Sequence, residues 1–191
     1  DLKLLQDNFS DVDFVLHQAA IPSVPRSVKN PIATNKANID GTLNVLVAAR
    51  DCNVEKVVYA SSSSVYGDTP TLPKVETMPT CPLSPYAVSK LTGEYYCKVF
   101  HDIYGLRTTS LRYFNVYGPR QNPKSEYAAV VPKFISSILN EKPIEIYGDG
   151  EQTRDFTFVE DVIDANLLSC KSKKSDGKVM NIAGGKRISI N

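Results

Sequence analysis

Three features that mark common classes of protein are missing from this 191-residue sequence. It has no apolar run of the about 18 residues that a transmembrane helix needs, and residues 1–10 are polar with a helical pattern, unlike a signal peptide. Its four cysteines, Cys52, Cys81, Cys97 and Cys170, show no CxxC or His/Cys ligand spacing, so we expect reduced thiols and no metal site. The net charge of +1 gives no particular attraction for a polyanion. We therefore expect a cytoplasmic location, with neither membrane nor nucleic acid as a partner.

Apolar runs and helical periodicities alternate along the chain, and 42% hydrophobic residues suffice for a real core. Strand, helix, strand in alternation predicts an α/β fold with a doubly wound parallel sheet. The predicted strands are 13–17, 55–60, 107–113, 144–147 and 178–182, and the predicted helices are 1–10, 35–51, 85–104, 128–140 and 161–171. Prolines and threonines predict loops at 22–31 and 68–85. On the last helix, Val162, Ala165 and Leu168 are predicted to face the core.

One predicted helix begins with a tyrosine and a lysine in a pattern that can create a base. Ser84 is a natural N-cap and Pro85 a natural first helical residue, so Tyr86 lies in the first turn. Lys90 follows four residues later, on the same helix face. Bringing a phenol from its usual pKa of about 10 to neutrality requires about 4 kcal/mol of preferential phenolate stabilisation, much of which a nearby lysine cation can supply. A tyrosine and a lysine at this spacing more often lie on a solvated helix face. Whether this pair is catalytic must therefore be judged from the rest of the sequence.

A run of serines follows the second predicted strand directly. Ser61 to Ser64 stand between that strand and the sequence VYG at 65–67. A low-complexity linker would also be rich in serine. At the carboxyl end of a parallel strand, however, the hydroxyls would face the crevice in which open α/β sheets bind ligands.

Six stretches, in order, give the chain a resemblance to a known family. They are HQAA at 17–20, NIDGT at 38–42, SSSVYG at 62–67, the Tyr86/Lys90 helix, LRYFNVYGPR at 111–120 and GDGEQTRDF at 148–156. The sequence resembles the extended short-chain dehydrogenase/reductase family, in its nucleotide-sugar epimerase and dehydratase branch. The resemblance implies a Rossmann-like sheet, with residues 1–113 as the remainder of an NAD-binding domain. Residues 114–191 would form part of a small C-terminal substrate lobe, with segments that return to the Rossmann domain.

The resemblance also implies a role for individual residues. Tyr86 would accept the O4 proton of the sugar, Lys90 would hold the cofactor ribose and lower the pKa of Tyr86, and Ser62 would orient O4. NAD is the implied cofactor and a nucleotide sugar the implied small-molecule partner. The implied cofactor contacts are Ala19, Ala20, Asn38, Ser61, Tyr86, Lys90 and Tyr113, and the implied substrate contacts are Ser23, Ser62, Ser63, Ser64, Asn115, Ala129, Val130, Lys133 and Arg154.

Two of these residues also have ordinary interpretations. Asn38 could be a solvated helix position instead of a cofactor contact and a brace for the catalytic helix. Lys133 could be a plain surface lysine. We favour Arg154 over Lys133 for the charge of the substrate, because a guanidinium bonds two oxygens of a diphosphate at once.

The two residues after Ser62 bear on which reaction is implied. Dehydratases of this branch carry an acid pair there, and the hydroxyls of Ser63 and Ser64 cannot act as carboxylic acids near pH 7. This favours 4-epimerisation of a UDP-hexose or UDP-N-acetylhexosamine. The segments 72–76, 82–88 and 120–123 are most similar to the UDP-N-acetylglucosamine 4-epimerases of bacterial surface-polysaccharide pathways. A 4,6-dehydratase, and a non-catalytic module that binds nucleotide sugars or dinucleotides, remain alternatives.

The glycine-rich turn with which complete members of the family open is missing. The ten glycines, the first at Gly41, contain no GxGxxG or GxxGxxG spacing. We therefore expect an internal fragment that lacks the N-terminal βαβ unit and part of the lobe, and that is inactive by itself. The resemblance further implies a homodimer formed through the helices 35–51 and 85–104.

Overall fold

The computed structural model describes residues 1–122, 130–146 and 148–191. In chain order its elements are α1 (Leu2–Asn8), β1 (Phe14–His17), α2 (Val24–Lys29), α3 (Pro31–Asn35), a π-helical turn (Lys36–Asp40), α4 (Gly41–Asp51), β2 (Lys56–Ser62), a 3₁₀ turn (Ser63–Tyr66), α5 (Pro85–Tyr104), β3 (Arg107–Tyr113), β4 (Val116–Tyr117), α6 (Val130–Leu139), β5 (Thr153–Arg154), β6 (Thr157–Phe158), α7 (Val159–Lys171), a second 3₁₀ turn (Lys173–Ser175), β7 (Lys178–Ile182) and β8 (Ile188–Ser189).

A four-stranded parallel sheet in the order β1-β2-β3-β7 forms the centre of the fold. The predicted α/β class and doubly wound sheet are therefore confirmed. In the register of β2 against β3, Ser61 lies opposite Arg112 and Ser62 opposite Tyr113. Because the strands are parallel, all their carboxyl ends meet at one edge, where sheets of this kind bind ligands.

Helices cover both faces of this sheet. On one face α4 and α5 pack over inward residues of β2 such as Val57 and Tyr59. On the other face, Val58 and Leu111 pack with Cys170 of α7. Since successive strand residues point to opposite faces, the buried residues Val57, Val58 and Tyr59 of β2 contribute to two cores.

The long helix α5 has the bounds that its sequence predicts. The Ser84 hydroxyl accepts a hydrogen bond from the Ala87 amide at 3.1 Å, and Pro85 occupies the first turn. At the other end Gly105 adopts the left-handed conformation, with φ of 72°, which ends the helix at little steric cost. These local signals fix where the helix begins and therefore where Tyr86 lies.

Three local predictions were wrong. The segment 22–31 is largely helical, because Ser23 and Asn30 cap two short helices and prolines are tolerated in a first turn. Residues 144–146 form no strand, and Tyr147 lies outside the described residues. On α7, Leu168 is 69% exposed, whereas Asn166 is buried. The helix therefore presents a more polar stripe to the sheet than its hydrophobic pattern predicts.

Beyond Tyr113, β7 returns to the central sheet, and the other described strands have two residues each and form two small sheets. Strands β4 and β6 pair in parallel, and β5 pairs with β8 in the antiparallel sense. The division into domains at residues 113 and 114 stays a prediction. Within residues 1–122, 130–146 and 148–191, no helix has the length and apolar character required to cross a membrane.

Candidate active site

Tyr86 and Lys90 lie one helical turn apart at the carboxyl end of β2. Lys90 is buried, and its Nζ donates a hydrogen bond to the Ala60 carbonyl oxygen at 2.7 Å. The same nitrogen lies 5.1 Å from the ring centroid of Tyr59 and 6.0 Å from that of Tyr86. The bond to Ala60 ties the lysine of α5 to the end of the neighbouring strand, so the pair is held at the crevice rather than in solvent.

The electrostatics of this pair differ from the expectation. Burial raises the pKa of the Tyr86 phenol, and hydrogen bonding with Ser62 opposes that shift. Burial also lowers the pKa of Lys90 to about 8. The structure does not show the predicted lowering of the Tyr86 pKa by Lys90. The lysine is directed to the Ala60 carbonyl oxygen, and the burial of Tyr86 has the larger effect on its pKa. Ser62 is the neighbour that favours the phenolate.

The serine run forms a tight turn at the end of β2. The hydroxyl oxygen of Ser62 accepts hydrogen bonds from the Ser64 amide at 3.2 Å and from the Ser64 hydroxyl at 2.9 Å. Gly67 ends the turn with φ of 65°, and a Cβ there would come within 2.0 Å of the Cys81 carbonyl oxygen. Glycine is therefore required at this position, where the turn packs against the backbone of Cys81.

Asn38 braces helix α5, and its interpretation as a solvated position is wrong. It is only 1% exposed, and its Oδ1 accepts from the Ile21 amide at 2.8 Å. Its Nδ2 donates to the Ile21 carbonyl oxygen at 3.1 Å and to the Ser89 hydroxyl at 3.0 Å. Ser89 lies between Tyr86 and Lys90, so Asn38 links the loop after β1 to the helix that carries the pair. Both of its amide hydrogens are already engaged.

The other residues predicted to contact the cofactor lie at the carboxyl end of the sheet, and they differ in how far they are exposed. Ala19 is exposed and Ala20 is half-buried, directly after β1. Ser61 is buried, and its hydroxyl donates to a carboxylate oxygen of Glu94. The Tyr113 phenol receives a hydrogen bond from Asn166 at 2.8 Å. The Ser61 side chain is therefore occupied within the protein.

A polar cluster that the sequence analysis missed surrounds the Tyr113 phenol. Gln18 and Asn166 both donate to that oxygen, at 3.0 and 2.8 Å, and Gln18 also donates to Asn166 at 3.0 Å. Gln18 belongs to the HQAA motif, which was a usable signal. Asn166 had no comparable signal, because no local feature of the sequence indicates which face of α7 is buried.

A cavity of about 300 Å³ lies beside this edge, in the C-terminal part of the chain. It brings together Asn115, Val130 and Arg154 with Glu145, whereas Lys133 is exposed and outside it. Its other lining residues are Val116, Tyr117, Val131, Phe134, Ile146, Gln152, Phe156 and Ile190. Ser62, Tyr86 and Lys90 are not among its lining, so the candidate site has two parts.

The remaining predicted contacts are less informative. Ser23 caps α2, with its hydroxyl accepting from the Arg26 amide at 3.4 Å and a positive φ of 93°. Ala129 lies outside the described residues. Within the described ranges no three His, Cys, Asp or Glu side chains are placed to hold a metal ion, and all four cysteines are free thiols.

A serine, a tyrosine and a lysine gathered at the carboxyl edge of a parallel α/β sheet define a site of the short-chain dehydrogenase class. The model of the NAD dependent epimerase/dehydratase family matches residues 1–183, and the chain belongs to this family.

Three similar proteins illustrate the relationship. The UDP-glucuronate 4-epimerase of Thermodesulfobacterium geofontis is 40% identical over 195 residues, covering 100% of this chain and 57% of that protein. The structure of a UDP-N-acetylglucosamine 4-epimerase from Methanobrevibacter ruminantium M1, in complex with UDP-N-acetylmuramic acid, superposes with a TM-score of 0.95 at 49% identity, covering 98% of this chain and 60% of that one. A UDP-glucuronic acid 4-epimerase from Bacillus cereus, in complex with UDP-glucuronic acid and NAD, gives a TM-score of 0.89 at 39% identity, with coverages of 100% and 60%. This chain thus spans between 57% and 60% of the length of these relatives.

Proposed function

We propose that the complete protein containing this chain is an NAD-dependent 4-epimerase of a UDP-hexose or UDP-N-acetylhexosamine. The observation that carries the proposal is the position of Tyr86, Ser62 and Lys90 at one edge of the sheet, where Lys90 is bonded to the Ala60 carbonyl oxygen at the end of β2. The similar 4-epimerases support the reaction type. They act on different UDP-sugars by name, so the particular substrate is part of the proposal.

The residues present fit NAD at the carboxyl edge. An ammonium has three N–H donors, and one bond, to the Ala60 carbonyl oxygen, is described for Lys90, which leaves donors for ribose hydroxyls. Ala19 and Ala20 are small and accessible after β1, so a ligand can approach the backbone closely. Bound NAD would supply the acceptor and donor of the hydride at C4 of the sugar.

The chemistry that the chain itself would perform is proton transfer at O4. Ser62 would hydrogen-bond O4, and Tyr86 would take its proton and later return it. The Ser64 hydroxyl donates to the Ser62 oxygen, which leaves the Ser62 hydrogen free to point elsewhere, for example toward the Tyr86 oxygen. Ser63 and Ser64 offer no carboxylic acid for the expulsion of water, which favours epimerisation over 4,6-dehydration.

The 300 Å³ cavity would hold the nucleotide part of the substrate. Arg154 would bind the diphosphate and Asn115 would contribute an amide; its Nδ2 already donates to the Asp155 carbonyl oxygen at 2.9 Å. Val130 and Phe134 offer apolar surface for the base. A firmly held nucleotide beside a less constrained hexose suits a 4-keto sugar that must turn to receive hydride on its other face.

Tyr86→Phe in the complete protein tests the proposal. We expect turnover of UDP-glucose or UDP-N-acetylglucosamine to fall by about 10²–10⁴-fold, because the proton acceptor is lost, while affinity for the sugar nucleotide changes little. Tyr104→Phe, at the far end of the same helix, is the matched control and should retain activity. Product analysis by NMR distinguishes the alternatives. A 4-keto-6-deoxy product from the unaltered protein would establish a dehydratase, and binding without turnover would establish a non-catalytic module.

A homodimer is proposed through the helices 35–51 and 85–104. Along α5 an exposed apolar stripe comprises Val88, Tyr95, Val99 and Ile103, each at least 42% exposed. Their spacing of seven, four and four residues places them on one helix face, which is suited to helix–helix packing. Sedimentation equilibrium of the complete protein measures the assembly directly, and a monomer at micromolar concentration would contradict the dimer.

A further inference from the structure

Glu94 continues the helix face that carries the candidate catalytic pair. It follows Lys90 by four residues, as Lys90 follows Tyr86, so the three side chains lie along one side of α5. Glu94 is 3% exposed and Arg112 of β3 is 4% exposed. Their contact is bidentate, with Arg112 Nε donating to Oε1 at 2.9 Å and Nη2 donating to Oε2 at 2.7 Å. This geometry is the most directional that an ion pair offers.

This ion pair holds the serine turn from both sides. Before Ser62, the Ser61 hydroxyl donates to Glu94 Oε1. After it, the Tyr66 ring lies against the Arg112 guanidinium, whose carbon is 4.7 Å from the ring centroid. The Tyr66 hydroxyl in turn donates to Asn181 Oδ1 of β7 at 2.7 Å. Both ends of the segment 61–66 are therefore anchored to the Glu94–Arg112 pair.

Stability alone does not account for such a pair. Removing two charges from water costs about as much as their attraction returns, so apolar residues of similar volume often serve a core as well. What the pair provides is direction, since it fixes α5, β2 and β3 relative to one another. Helix α5 carries Tyr86 and Lys90, β2 carries Ser62, and β3 carries Tyr113.

We propose that Glu94, acting through Arg112 and Ser61, is a positioning residue that holds the Ser62 turn against the Tyr86–Lys90 face of α5. The inference rests on the proposed function for its kinetic consequence. Because Glu94 is buried and both of its carboxylate oxygens are engaged by Arg112, it would act through its partners and not by contact with a ligand. A displacement of about 1 Å at Ser62 can cost about 10²-fold in turnover, because the reacting groups must be aligned.

Glu94→Gln in the complete protein tests this role, since glutamine keeps the shape and removes the charge. We expect kcat for the UDP-sugar to fall at least tenfold with KM changed less than threefold. Glu94→Asp keeps the charge and should recover part of the lost kcat. A readout independent of activity is hydrogen exchange by mass spectrometry, where amides of residues 61–67 should exchange faster in Glu94→Gln and those of β1 should not.

The matched control is a second ion pair, which lies at the amino-terminal end of β2. Lys56 is fully buried, and its Nζ lies 2.7 Å from Asp176 Oδ1. Asp176→Asn should lower the Tm while leaving kcat and the exchange of residues 61–67 unchanged, with all proteins compared at a temperature where circular dichroism shows them folded.

Two results would overturn the inference. The first is that Glu94→Gln, like Asp176→Asn, has the same kcat as the unaltered protein. The other is unchanged exchange at 61–67. If the unaltered protein shows no epimerase activity, the proposed function fails, and the exchange comparison still decides whether Glu94 anchors the serine turn.

Discussion

At Gly93, α5 packs closely against Tyr59 of the sheet, and replacing this glycine should disturb the helix that carries Tyr86 and Lys90. A Cβ built on Gly93 would lie 2.3 Å from both Cζ and Oη of Tyr59. Tyr59 is 1% exposed and its hydroxyl donates to the Lys90 carbonyl oxygen at 3.4 Å. The ring thus has no room to move away without shifting α5 at the level of Lys90.

The magnitude of the effect follows from two opposing terms. Alanine in a helix interior is favoured over glycine by about 1 kcal/mol. Overpacking a filled core costs about 1–3 kcal/mol, and a 2.3 Å contact with a fixed ring belongs at the upper end. We expect Gly93→Ala to lower the free energy of unfolding by about 1–2 kcal/mol and to reduce turnover as well.

Gly41→Ala is the matched control for this prediction. Gly41 has helical dihedrals, with φ of −60°, and the nearest atom to its Cβ would be the Lys36 carbonyl oxygen at 4.0 Å. Only the propensity term applies there, so this variant should be more stable by about 0.5–1 kcal/mol. Urea denaturation of both variants provides the measurement. If Gly93→Ala gains as much stability as Gly41→Ala, the close packing of α5 on Tyr59 is refuted.

Two further predictions concern pH and substrate binding. Burial, aided by the Lys90 charge, lowers the pKa of His17 to about 4, so between pH 6.5 and 4 the unfolded chain takes up a proton that the folded chain does not. Stability should fall as the pH falls through that window, by up to about 3 kcal/mol for this group. His17→Gln should show a correspondingly smaller loss between pH 7 and pH 4.5 in urea titrations, and equal losses would contradict the assignment. At the cavity, Arg154→Ala should raise the KM for the UDP-sugar about tenfold to a hundredfold, since a charge-assisted hydrogen bond is worth about 1.5–3 kcal/mol. Lys133→Ala should leave KM unchanged, and a larger effect at Lys133 would reverse the two roles.

Much of this protein follows from local sequence signals. Ser84, Pro85 and Gly105 set the ends of α5 through capping and backbone preferences that involve only adjacent residues. The apolar runs that precede the HQAA motif and the serine turn predicted two buried strands of a parallel sheet. Together with the resemblance to the family, these signals predicted that Tyr86, Lys90 and Ser62 lie at one edge of the sheet.

Contacts between distant residues were decided by the tertiary structure alone. Lys90 could face Tyr86 or the Ala60 carbonyl oxygen with the same helical spacing, and only the packing of α5 on β2 selects the latter. Glu94 and Arg112 are 18 residues apart on different elements, so no periodicity links them. Sequence therefore determined which residues reach the edge, because capping and hydrophobic pattern act within a few positions. The fold determined which partners they meet there, because helix orientation and strand register bring together residues that are remote along the chain.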